Sequence, residues 1–175
     1  MDIDDDGYRR ILGLRAVRDF AAEPLDPTHL EMILEAARWT GSAKNRQDWS
    51  FVVLDDAEAK RAVAAAGDFT GPMMAAPVAI AIVQEPGGYE FDSGRLAQNI
   101  MLAADAVGVA SCPVTLHRDG EAAAALGLPS DRRCRYAIAL GYPGHRARGS
   151  LGGGRKPLSE LVRRNRYPTG FSPPS

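Results

Sequence analysis

The sequence predicts one domain of layered helices and strands, α+β or α/β, with three short apolar strands set among five or six helices. Three observations carry this. The length of 175 residues fits one domain with a sizeable core. The runs SFVVL, VAIAIV and YAIAL read as strands, the last two bounded by Pro or Gly. Between them the apolar residues fall at helical spacing, most clearly at Leu30, Ile33, Leu34 and Ala37.

Taken in order, residues 1–7 read as a disordered acidic tail, and 8–14 as a first helix with Ile11 and Leu12 facing in. Asp26 suits an N-cap and Pro27 the first helical position of a second helix, which Gly41 ends. Residues 50–54 form a strand, 56–66 an alanine-rich helix stopped by Gly67, and 78–83 a buried strand. A long helix over 92–107, capped by Asp92 or Ser93, is apolar on almost every side of its second half, which suits a central or interface position. Asp119 caps a short helix closed by Gly127, and 136–140 form another strand. A glycine-rich stretch at 149–154 precedes a last helix begun by Pro157, and 167–175 read as an extended tail. The piece after the glycines is too small for a domain and is expected to dock on this subunit or on a partner.

The totals exclude several classes. A net charge of −1 gives no bulk case for nucleic acid or anionic membrane. No apolar run approaches the ~20 residues a membrane span needs. The acidic start MDIDDDGYRR is unlike a signal peptide, so a cytoplasmic location is expected. Cys112 and Cys134 form no C-x-x-C motif and are expected as buried free thiols. His29, His117 and His145 lack metal-ligand spacing, so no metal site is expected. No G-x-S-x-G elbow, P-loop or G-x-G-x-x-G is present. No protein acid, base or nucleophile stands out as catalytic, and the chemistry is expected to come from a bound cofactor.

The stretch RWTGSAKNRQDWSFVVL is the most informative. Its loop offers a hydroxyl (Ser42) and two amides (Asn45, Gln47) between a helix and a strand. Uncharged donors and acceptors so placed suit a planar heteroaromatic rich in carbonyls and ring nitrogens, with flavin the first candidate. Arg15 and Arg18, read as lying at a helix end where they can converge, and the distant Arg155 and Lys156 suit a phosphate monoester, although each pair alone could be solvated surface charge. The Pro113-Val114-Thr115 segment could bring backbone close to a ring, or be an ordinary turn. Trp39 and Trp49 are both expected in the core. The cations of RRNRY lack an aromatic platform and read as a solvated or dimer-embracing helix end.

RAVRDF, AARWTGSAKNRQDWSFVVL, DSGRLAQNIMLAADAVGVASCPV, GYP and GGRKPLSELV occur in an order that resembles the FMN-dependent nitroreductase superfamily, over about residues 8–166. The resemblance implies one domain over 8–166 with a three-layer fold, a central, mostly antiparallel sheet flanked by helices, and an interlocked homodimer with FMN at the interface. It assigns Arg15, Ala16 and Arg18 to the phosphate, Ser42, Asn45 and Gln47 to the ribityl chain and the ring's polar edge, and Pro113, Val114 and Thr115 to the approach to N5. Arg155 and Lys156 become a C-terminal phosphate clamp. The implied activity is ping-pong hydride transfer from NAD(P)H through flavin N5 to a small-molecule acceptor such as a nitroaromatic, quinone or enone. Two alternatives remain: a flavin-dependent dehydrogenase or oxidase of a biosynthetic intermediate, and a flavin-binding protein without turnover.

Three departures stand out. Leu14 and Ala16 occupy positions where many relatives carry Arg and Ser, a loss of ~1–3 kcal/mol at the phosphate if nothing replaces them. Asp48 replaces a Pro, which is expected to loosen the loop or add a charge near the ring. The chain is short, which implies an open pocket or one roofed by the partner.

Overall fold

In the computed structural model the described residues are 5–145 and 154–167. The start of the acidic tail, most of the glycine-rich stretch and nearly all of the expected extended tail lie outside them. Four strands, β1 (Trp49–Leu54), β2 (Val78–Gln84), β3 (Ala110–Thr115) and β4 (Arg133–Gly141), form one sheet in the order β1-β2-β4-β3. Every pairing is antiparallel.

Side-chain alternation gives the sheet its two faces. Val78, Ile80 and Ile82 of β2 and Ile138 and Leu140 of β4 pack with Ile33 of α2 (Pro27–Arg38) and Leu96 and Ile100 of α5 (Glu90–Ala106). The intervening Ala79, Ala81, Val83 and Ala137 join a second core with Val63 of α3 (Ala57–Ala64), Met73 of α4 (Gly71–Ala75) and Ala122 of α6 (Asp119–Ala125). The runs VAIAIV and YAIAL are therefore large-small alternations, isoleucine toward one helix layer and alanine toward the other. Each buried isoleucine contributes about 1.5–3 kcal/mol of transfer free energy. The result is three layers, helix on sheet on helix.

The helix starts follow their capping chemistry. Asp26 Oδ1 accepts from the Thr28 N–H at 2.7 Å, and Asp56 Oδ1 from Glu58 and Ala59 at 2.9 and 2.8 Å. A cap of this kind is worth about 1 kcal/mol. Among the described residues no helix is long and apolar enough to cross a membrane.

Several expectations need correction. Helix α1 (Asp5–Gly13) turns Ile11 and Leu12 outward, 58% and 57% exposed, and Arg10 ties it to Asp105 of α5 at 2.8 Å. Helix α2 stops at Arg38, before Gly41. Asp92 and Ser93 lie buried in the first turns of α5, whose N-cap is Tyr89. Arg118 occupies the N-cap of α6, leaving Asp119 inside its first turn. Strand β3 was not among the expected strands, because ASCPVT carries a proline; it lies at the sheet edge, where proline is tolerated. Helix α4 was also unexpected, and α7 (Leu158–Leu161) is a single turn. Trp39 is 75% exposed, whereas Trp49 packs half-buried against the core.

Candidate functional site

The outer edge of β3, the one turned away from β4, is the centre of the candidate site. Leu116 N–H continues the ladder by donating to Arg135 O at 2.8 Å, whereas Ser111 O faces outward and accepts from Val17 N–H at 2.8 Å. By alternation, Pro113 and Thr115 also direct their backbone groups away from β4. Pro113, which lacks an N–H, therefore costs the sheet no hydrogen bond. Its side chain and that of Thr115 are exposed, and Val114 is buried beneath them.

Two segments close the ends of this edge. The first holds Arg15, Ala16 and Arg18. It is not helical, so the helical spacing expected to bring the two arginines together does not apply. Ala16 and Phe20 pack on Ala76, Cys112 and Ala139, which fixes the segment beside β3. Arg15 is exposed, and its Nη1 donates to Leu12 O and Leu14 O at 2.7 and 2.8 Å. Arg18 is exposed close enough to Cys112 for its charge to oppose the rise that burial imposes on that thiol. At the other end, Gly67 lies against the Thr115 carbonyl, where a Cβ would come within 2.7 Å of the oxygen. Between these ends the edge runs about 13 Å, four residues of extended chain. The chemistry along this edge, arginines at one end and outward-facing backbone at Pro113 and Thr115, suits an elongated group with an anionic end and a planar end.

The loop at 42–47 lies elsewhere. The pairings Trp49↔Gln84 and Gln84↔Arg133 put it at one end of the sheet, outside β1. Ser111↔Leu140 and Leu140↔Val78 put the Arg15–Arg18 segment at the other end, outside β3. Three strand spacings by about six residues of rise separate these corners by roughly 25 Å. One chain does not bring the two sets together.

The loop itself is tightly formed. A 3₁₀ turn spans Ala43–Asn45, and Lys44, Asn45 and Gln47 adopt left-handed φ values of 55°, 53° and 54°. Such conformations cost of order 1–3 kcal/mol each in non-glycine residues and gather at functional sites. The Gln47 N–H donates to Ser42 Oγ at 2.9 Å. From α5, Arg95 donates to Gly41 O and Asn99 Nδ2 to Thr40 Oγ1 at 2.8 Å. Asp48, expected to loosen the loop or add a charge near the ring, has its carboxylate paired with Arg46 at 2.6 Å, which balances that charge locally. A proline there would also disfavour the left-handed Gln47 before it.

Arg155 and Lys156 are exposed just before α7, and among the described residues no hydrogen bond or ion pair joins them to the Arg15–Arg18 segment. A broad apolar groove of about 1050 Å³, lined by Met32, Trp39, Phe51 and Val53 among others, runs between α2 and the edge strand β1. Arg46, Arg95, Asn99 and Gly67 are the supporting residues that sequence reasoning missed. Only the i, i+4 spacing of Arg95 and Asn99 on one helix could have hinted at a shared role. Among the described residues no cluster of His, Cys, Asp or Glu could hold a metal.

The family model described as Nitroreductase family matches residues 11–70 and 70–142. A protein of Archaeoglobus fulgidus, named as an NADH dehydrogenase/NAD(P)H nitroreductase, is 29% identical over 74% of this chain and 80% of its own. A nitroreductase-type protein of Desulfovibrio desulfuricans, solved in complex with FMN, superposes with a TM-score of 0.81 at 24% identity, covering 95% of this chain and 100% of that one. The NADPH:FMN oxidoreductase of Vibrio harveyi, solved with NAD+, gives 0.83 at 22% identity over 94% and 79%.

Proposed function

The chain belongs to the nitroreductase family, and from that premise we propose that it is an FMN-dependent oxidoreductase acting as a homodimer with its flavin between the subunits. The observation that carries the reading is the outer edge of β3, flanked by Arg15 and Arg18 and open at Pro113–Thr115. When bound there, the flavin supplies the redox chemistry, taking hydride from NAD(P)H and passing it to an acceptor such as a nitroaromatic, quinone or enone.

The chain's own residues bind and orient the group. Arg15 and Arg18, with Arg155 and Lys156 from the C-terminal segment, neutralise the phosphate. The outward backbone of Pro113 and Thr115 supports the ring. Ser42, Asn45 and Gln47 come from the second subunit, because their corner lies about 25 Å from the first set in a single chain. Asn45 and Gln47 would hold the ring's polar edge through their side-chain amides, whose donors would stabilise negative charge there. The exposed Met32 and Trp39 of the α2–β1 groove support burial against a second copy.

The test is direct. Purified protein is expected to be yellow, or to turn yellow with added FMN, to bleach anaerobically with NADH or NADPH, and to regain colour with a quinone or nitroaromatic. Protein that takes up no FMN overturns the reading. Flavin that is retained but not bleached by either nicotinamide overturns the reductase direction and favours a dehydrogenase of another reduced substrate.

A further inference from the structure

The family resemblance leaves Asp48 unexplained, and the structure gives it a defined partner. Its Oδ2 lies 2.6 Å from Arg46 Nη2, and the same nitrogen donates to Gly87 O at 2.6 Å. The Arg46 guanidinium also lies over the Tyr89 ring at 5.4 Å. The main chain is tied as well, with Glu85 N–H donating to Asp48 O at 3.1 Å.

The turn between β2 and α5 is shaped to receive this pair. Gly87 has φ +81°, and a Cβ there would sit 2.5 Å from Arg46 Nη2. A Cβ on Gly88 would sit 2.7 Å from Asp48 O. Gln47, at φ 54°, is held between the two charged residues. The loop is thus gripped at both ends, by α5 through Arg95 at Gly41 and by the β2–α5 turn through Arg46 at Gly87.

We propose that Arg46 and Asp48 form a charge-neutral pin that positions Gln47 toward the flavin and keeps net charge away from the ring's polar edge. The inference rests on the flavin reading above. Both side chains are partly shielded, 37% and 25% exposed, so solvent screens either charge incompletely once its partner is removed. An uncompensated carboxylate disfavours an anionic reduced flavin, and an uncompensated guanidinium favours it.

The experiment compares Arg46→Gln, Asp48→Asn and Asp48→Glu in the full chain. It measures FMN affinity by fluorescence quenching, the midpoint potential of bound FMN by spectroelectrochemistry, and the melting temperature of the flavin-free protein. Arg46→Gln and Asp48→Asn are each expected to weaken FMN binding about tenfold, the scale of one lost charge-assisted contact. Their midpoint potentials are expected to move in opposite directions, negative for Arg46→Gln and positive for Asp48→Asn, with Asp48→Glu restoring both readouts. Potentials that move in the same direction, or not at all, overturn the pin. So does a loss of affinity that merely tracks a loss of flavin-free stability. Wild-type protein that binds no FMN overturns the flavin reading itself, whereas wild type that binds while the variants are silent overturns only the pin.

Discussion

Burial decides the character of the two cysteines. Cys134 has no solvent exposure, and desolvation pushes its thiol up to about 12. Cys112 is raised for the same reason. Both therefore stay protonated at neutral pH and are poor nucleophiles. Native protein is expected to leave a disulfide reagent unconsumed and to titrate both thiols only in guanidinium. Fast reaction of either in the native state would contradict their packing. This was legible in sequence, since the two cysteines form no C-x-x-C motif and sit in apolar or strand-like contexts. The exposure of Trp39 was not. Its indole N–H donates to Glu35 Oε1 at 2.8 Å, and Arg38 bonds the same carboxylate, holding it at about 2. A residue type so often buried gives no local sign that its helix ends on a free surface.

At the scale of elements, the turn that receives the pin is itself braced. Glu85 follows β2 and accepts from Ser50 Oγ of β1 at 2.7 Å, while Arg132, just before β4, pairs with its other oxygen. These donors hold the Glu85 carboxyl below its ordinary value of 4.5. A depressed folded-state pKa means fewer bound protons in the folded than in the unfolded chain, so the stabilisation is present above 4.5 and is lost as pH falls through the folded value. Glu85→Gln is expected to flatten the fall of melting temperature below about pH 4.5, and an unchanged acid slope would show that the brace contributes nothing. The strands β2 and β4 were readable because the runs 78–83 and 137–140 are buried on both faces and must be apolar, and β1, although an edge strand, by its apolar run 51–54. Strand β3 was not, because its edge position removes that requirement and admits Pro113.

At the scale of the whole molecule, the sheet order separates the two halves of the proposed site. Strands β1 and β3 are opposite edges, so one chain presents the arginine segment at one corner and the amide loop at the other. An inter-subunit site makes a sharp prediction. Arg18→Ala and Gln47→Ala homodimers are each expected to bind FMN poorly. Unfolding and refolding the two variants together would create mixed dimers with one intact site, and FMN binding should partly return. Mixtures that bind no better than the separate variants would place the whole site within one chain.

The sequence by itself determined the composition of the proposed site: cations, amides and a proline-bearing segment, spaced along a chain whose periodicities lay out most of the helices and three of the strands. Those properties are local, set by propensity, capping and alternation over a few residues. Only the tertiary structure decided that β3 is an edge, that the two halves stand at opposite corners, and that Asp48 is neutralised by Arg46 in a glycine-shaped turn. These depend on pairings between residues some 30 to 50 positions apart, such as Arg46 with Gly87, Ser50 with Val83 and Val83 with Cys134, which local pattern does not encode.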